Sequence, residues 1–184
     1  MHPAISSMLF WQQALTLILP LLVGGVLHML VVRFDWLRML KIPLHERSMG
    51  ANKTWRGIVV MPILTVLGVM LARLLDQHWQ LELLTHAQTW SLGLALGLGY
   101  VIPELPNSWM KRRMGIRPGE SSSRYPWLFG FIDQTDSAFG CLLVYALWGI
   151  GHETLWIVLF FFGAVVHVVV NLILWSLGLR KQPL

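Results

Sequence analysis

Two carboxylates three residues apart, in Asp133-Gln134-Thr135-Asp136, are the most specific chemical signal in this chain. On a helix they share one face. Paired oxygens beside a basic groove suit Mg2+, which keeps several waters and takes one or two carboxylates plus substrate phosphates. The alternative is that Asp136 caps the apolar run that follows it, which leaves Asp133 without a role. A second constellation is Gly50-Ala51-Asn52-Lys53-Thr54-Trp55-Arg56-Gly57. If a helix begins there, Lys53 and Arg56 lie on one face of its first turn. Cations at a helix start oppose the macrodipole unless something negative sits among them, and the free N–H groups there also favour an anion. A phosphate resolves that conflict; two snorkelling interfacial cations are the plainer alternative. A third runs from Ser108 to Lys111-Arg112-Arg113, with Arg117 following. His167 and Asn171, four apart, share a helical face. They serve either an interhelical hydrogen bond or a substrate. His28, also in an apolar run, reads more strongly as packing.

These groups must be held by something unlike a soluble domain. Of 184 residues, 55% are apolar and 12% charged, against roughly 25% charged in an average soluble protein. That excludes a disordered chain. The lone cysteine, Cys141, excludes an internal disulfide and any cysteine-built metal site; within its apolar run it reads as a small buried hydrophobe. A bilayer span needs about 20 apolar residues. Runs 10–32, 57–75 and 155–177 supply this, and the shorter runs 90–103 and 138–151 read beside them as short or tilted spans. The expectation is one polytopic domain over 1–184, an all-α integral membrane bundle of about five spans. Two loops, 33–56 and 104–136, carry its polar site. The first run has no basic flank and no cleavage site, so it reads as a span and not as a signal peptide. Gly93 and Gly97 form a Gly-x-x-x-Gly pair suited to close helix packing. The stretch from Ser121 to Phe131 reads as a flexible loop.

Thirteen of the 14 basic residues fall in those two loops and the tail 178–184, leaving only Arg73 near the other border. The positive-inside rule then sets the N-terminus outside and both loops and the C-terminus in the cytoplasm, in the cell (inner) membrane. Trp11, Trp79, Trp90 and Trp156 fall near the outer border as an aromatic belt. The net charge of +5 is therefore a matter of membrane sidedness and lipid contact, and no nucleic acid is implied.

Taken in order, these motifs resemble the CDP-archaeol synthase family, a branch of the CTP-dependent CDP-lipid synthases. The carriers are Asn52-Lys53-Thr54-Trp55-Arg56-Gly57 and Ser108-x-x-Lys111-Arg112-Arg113. Then come Gly115-x-x-Pro118-Gly119, Asp133-Gln134-x-Asp136, and His167-x-x-x-Asn171 followed by Leu177-Gly178-Leu179-Arg180. The resemblance covers most of the chain. It implies a reaction of CTP with a membrane lipid phosphate, archaeol-type or diacylglycerol-type, giving CDP-lipid and pyrophosphate with Mg2+. It implies Asp133 and Asp136 as metal ligands, with Lys111 and Arg112 beside them in catalysis. Asn52, Lys53, Arg56 and Ser108 would contact substrate phosphates; Arg117, His167 and Asn171 complete the expected substrate contacts. The chain departs from the family pattern at Ala51 and Glu104, where aspartate is usual, and near His45 and Glu46, where a further aspartate often stands. Its segment from Gly119 to Asp133 is also longer. A non-catalytic lipid- or nucleotide-binding membrane protein of the same descent is the rival expectation, and a small transporter ranks below it because few charges lie inside the spans.

Overall fold

The structure, a computed structural model, describes residues 3–120 and 122–179. Ser121, Arg180 and Lys181, which figure in the loop and tail expectations, lie outside the described residues. The described residues are helical, with no strand beyond one isolated bridge between Pro43 and Thr54. Five longer helices form the bundle: α1 (Pro3–Arg33), α3 (Trp55–Trp79), α4 (Thr89–Val101), α6 (Pro126–Leu147) and α7 (Glu153–Ser176). Two short ones, α2 (Glu46–Met49) and α5 (Glu104–Arg113), sit at one end. The ring runs α1, α3, α4, α6, α7, and α7 returns to α1.

α1, α3 and α7 are long and apolar enough to cross a membrane. Their outer faces expose Leu15, Ile63, Leu67, Leu74, Ile157 and Phe161. Such a surface would be a liability in water and is ordinary in hydrocarbon. The chain is an all-α integral membrane bundle. Its five main helices fall on the five apolar runs, three of them (α1, α3 and α7) with the length and composition of a span, and two expectations are corrected. The run 138–151 belongs to a helix that begins at Pro126 and ends at Leu147, where Gly149 and Gly151 take positive φ and turn the chain. The expected loop 104–136 is mostly helix: α5 fills its start and the first turns of α6 its end. Trp127 to Phe131 are therefore helical, begun by Pro126 at the first helical position, where its missing N–H costs nothing. Asp136 lies well inside α6, whose N-cap is Tyr125, so the capping alternative for Asp136 fails.

Glycines set how closely the helices approach. A Cβ on Gly97 would lie 2.2 Å from the Pro62 Cα, and one on Gly93 would lie 2.5 Å from the Val66 Cα, so α4 packs backbone to backbone on α3 through the expected pair. Gly68 does the same for α3 against Pro20 of α1. At the end remote from α5 the bundle is filled by Ala14, Leu17, Val69, Leu92, Leu96, Tyr145 and Leu155, all buried. Cys141 is buried among them, as expected. The Tyr145 hydroxyl donates to the Leu17 carbonyl at 2.6 Å, which satisfies the one polar atom that this ring brings inside. At the α5 end the helices diverge around open space.

Candidate functional site

That space is a cavity of about 420 Å³. Its walls divide by chemistry. α1 and α7 contribute mainly Ile18, Leu21, Leu22, Val26, Val166, Val170 and Leu174. The loop before α3, together with α5 and α6, contributes Asn52, Lys53, Glu104, Asn107, Ser108, Lys111, Arg112, Asp133, Gln134, Asp136 and Ser137.

Helical spacing explains the polar wall. Glu104, Asn107, Ser108 and Lys111 stand at i, i+3, i+4 and i+7, one continuous stripe of α5. Asp133, Asp136 and Ser137 form the matching stripe on α6. Asn107 joins the two stripes. Its Nδ2 donates to Asp133 Oδ1 at 2.7 Å and to Asp136 Oδ2 at 3.0 Å. Lys111 Nζ meets both Asp133 oxygens at 2.5 Å and stands 5.6 Å from the Phe129 ring centre. Lys53 pairs with Glu104, whose other oxygen accepts from the Ser137 hydroxyl at 3.1 Å. Asp136 Oδ1 accepts from the Ser137 backbone N–H at 2.7 Å.

Lys53 is delivered by local pairing. Leu44 N–H donates to the Lys53 carbonyl and Trp55 N–H to the Ile42 carbonyl, so the first loop closes on itself just before α3. Gly50 then lets that loop meet the next: its φ is +89° and an added Cβ would sit 2.9 Å from Pro118 and 3.2 Å from Arg112 Nη1. Arg112 is wedged there with Nε and Nη1 buried and without a partner. Burial lowers its pKa, opposed by the nearby Glu120 carboxylate. A bound anion would supply what both nitrogens lack.

Nine of the eleven residues expected from sequence line this cavity: Asn52, Lys53, Ser108, Lys111, Arg112, Asp133, Asp136, His167 and Asn171. The His167 ring lies parallel to that of Tyr100, 6.4 Å between centres. Arg56 and Arg117 do not line it. Arg117 is exposed on the loop after α5. Arg56 is only 4% exposed and turns the other way, to Asp35 Oδ1 at 2.9 Å and the Trp36 carbonyl at 3.1 Å. Asp35 also accepts from Arg38 and Lys41. Those bonds, Lys41's first and Arg56's next, hold the Asp35 pKa below the usual carboxylate range. The stabilisation is present above the ordinary carboxylate value and is lost as pH falls through the depressed one. Arg56→Met is accordingly expected to lower the thermal midpoint in detergent while leaving the affinity for CTP unchanged, as thermal scans and calorimetry on the same preparation would read.

Sequence reasoning missed Asn107, Ser137 and the cavity-facing positions of His28 and Gln134. The signal for Asn107 was present: it shares the helical spacing of Glu104, Ser108 and Lys111, and becomes visible once 104–113 is read as helix. The carboxylates fit a hard divalent cation. Two of them share a face, bridged by the Asn107 amide nitrogen, and the carbonyl oxygen of that same amide is buried and unpartnered. Among the described residues no three His, Cys, Asp or Glu side chains form a closed cage.

The fold defines an integral membrane protein with a charged chamber at one end of a helical bundle. The chain belongs to the CDP-archaeol synthase family, whose CarS-like model matches residues 13–184. It is 28% identical over 152 residues to the CDP-archaeol synthase of Methanococcoides burtonii, covering 75% of this chain and 83% of that protein. No solved structure matches it.

Proposed function

We propose that the chain is a CTP:lipid-phosphate cytidylyltransferase that converts a membrane glycerol phosphate carrying isoprenoid or acyl chains to CDP-lipid and pyrophosphate, with Mg2+. Family membership carries CTP-dependent CDP-lipid synthesis as the broad activity. The observation that supports the finer reading is that Lys53 from the loop before α3 and Lys111 and Arg112 from α5 share one cavity with Asp133 and Asp136 of α6.

The chemistry needs little else. An oxygen of the lipid phosphate attacks the α-phosphorus of CTP, the bond from that phosphorus to the β-phosphate oxygen breaks, and pyrophosphate leaves with the bonding electrons. The nucleophile is already an anion, so no general base is required. The obstacle is repulsion between two anions, and preorganised cations lower it by neutralising charge and aligning the attack. Arg112, fixed by burial, suits the planar double contact that guanidinium makes with phosphate. Lys53 and Lys111 add point charges from the loop before α3 and from α5. Asp133 and Asp136 would hold Mg2+, which when bound supplies further charge neutralisation at the phosphates. Ser108 and Asn52 provide neutral hydrogen bonds at the rim.

In this reading the charged end faces the cytoplasm, where CTP is found, and the N-terminus lies outside. Purified protein given CTP, Mg2+ and lipid phosphates should release pyrophosphate and CDP-lipid; a folded preparation that makes neither from any of them refutes the activity. Arg112→Lys keeps the charge and loses the fork, so the KM for CTP is expected to rise on the order of tenfold. Steady-state rates against CTP concentration test this, and an unchanged KM would remove Arg112 from the phosphate site.

A further inference from the structure

The apolar wall of the cavity has a definite depth. His28 on α1 and Asn171 on α7 each lie five residues before the end of their helix, so they stand at one level near the charged rim. Below them the lining continues to Ile18 on α1 and Gly163 on α7. At 1.5 Å per residue these lie about 15 and about 12 Å deeper. Half of a bilayer's hydrocarbon is also about 15 Å thick. The wall therefore runs for close to one leaflet.

Two polar atoms at its upper edge have nothing to bond. Asn171 is 5% exposed and its Nδ2 is unpartnered. His28 Nε2 is buried and unpartnered as well, on the α3 side of the same rim, 3.9 Å from where a Cβ on Gly57 would sit. Buried amide and imidazole nitrogens in this condition cost stability unless a ligand completes them. Between the two helices there is room: a Cβ on Gly163 would meet nothing within 4 Å, and one on Gly25 only Tyr100, at 3.6 Å. α7 is also the least buried of the three long apolar helices.

We infer that the seam between α1 and α7 is a lipid subsite, in which Asn171, with His28 at the α3 side of the same rim, holds the glycerol-backbone oxygens of a lipid phosphate while its chains pass Gly25 and Gly163 into the surrounding leaflet. This rests on the reading of the chamber as a lipid-phosphate site, and it assigns what that reading leaves open: which helices admit the lipid, and which groups touch it between phosphate and tail. A cytosine ring could use the same two nitrogens, but the aliphatic wall beneath them, one leaflet deep, matches a chain better than a base.

The test is binding, measured without turnover. The full-length protein in detergent is titrated by native mass spectrometry with dioleoyl phosphatidate, dihexanoyl phosphatidate and diphytanylglyceryl phosphate, and separately with CTP and Mg2+ by calorimetry. Asn171→Leu removes the amide at similar volume and should weaken every lipid phosphate about tenfold, the cost of one net hydrogen bond, with CTP unaffected. Gly163→Leu projects into open space, so the fold should survive. It should weaken the long-chain lipids and leave the dihexanoyl lipid bound as before. Equal lipid binding by wild type and both variants, a loss of CTP binding in Asn171→Leu, or no lipid phosphate binding by the wild type would each overturn the subsite. Lipid binding that responds as described, in a protein that forms no CDP-lipid, would uphold the subsite and sink the transferase reading alone.

Discussion

Asp133→Asn and Asp136→Asn are each expected to fold and to lose CDP-lipid formation by about a thousandfold, the upper range for removing one preorganised group that stabilises transition-state charge. Each substitution keeps shape and removes charge. Asp133 is tied to Lys111 and Asn107, and its side chain is 39% exposed at the mouth, so a neutral amide there can rehydrate. Asp136 accepts from Asn107 through Oδ2 and from the Ser137 N–H through Oδ1, so an asparagine there keeps one of the two bonds at unchanged volume. The fold should therefore persist while the charge that would hold a divalent cation is gone. Rates at saturating CTP over a range of Mg2+ check this, with detergent melting curves as the control. Near-normal rates in both variants would detach the pair from the chemistry. A partial rescue of either by high Mg2+ would instead support its role as a ligand.

The second large effect concerns a residue outside the cavity lining. Gly140→Ala should fail to give a stable bundle. Its Cβ would fall 2.0 Å from the Gly99 carbonyl oxygen and 2.4 Å from Pro103 Cγ. Neither can yield cheaply: one is backbone of α4, and the other begins the turn into α5. Overpacking of this kind costs about 1–3 kcal/mol or more where the backbone must move. The functional consequence is geometric. α4 leads through Pro103 into the stripe of Glu104, Asn107 and Lys111, and α6 carries Asp133 and Asp136 one to two turns before Gly140. The contact between Gly99 and Gly140 sets how near these stripes come. Yield of monodisperse protein and melting temperature would show the loss, and a variant that folds normally with full activity would show that the two helices can separate without cost. Gly130, beside which a Cβ meets nothing within 4 Å, is the comparison position on the same helix.

The parts of the site that sequence disclosed share a cause. Asp133 and Asp136 are legible because two carboxylates at helical spacing before an apolar run have few other uses, and Lys53, Lys111 and Arg112 because 13 of the 14 basic residues gather in two loops and the tail. Arg56 has the same spacing from Lys53 as a phosphate-binding pair would have. Yet its direction is set by Asp35, twenty-one positions earlier, through a turn where Asp35 and Leu37 both take positive φ. No periodicity announces such a turn. α5 escaped notice because its ten residues carry charge at the end and Pro106 within, so it has no apolar stripe; tertiary packing against α2 and α6 makes it a helix. The start of α6 was hidden because its carboxylates break the apolar run by which spans are counted. His28 was read as packing since a lone histidine in a span usually is. Ala51, the departure from the family pattern, is exposed and outside the cavity lining, so the groups that surround the chamber are present without it.

The pairing of Lys53 with Glu104 and of Lys111 with Asp133 bears on which anions can enter. At rest the walls form two internal salts, and much of their charge is already spoken for. A bare phosphate ion would have to detach a lysine and strand a carboxylate without a counter-ion. A nucleotide that arrives with its own divalent cation offers an exchange: the lysine goes to the phosphate and the carboxylate to the metal, with no ion left over. Under the proposed function, such a chamber would admit metal-bearing nucleotides in preference to the abundant simple anions of the cell.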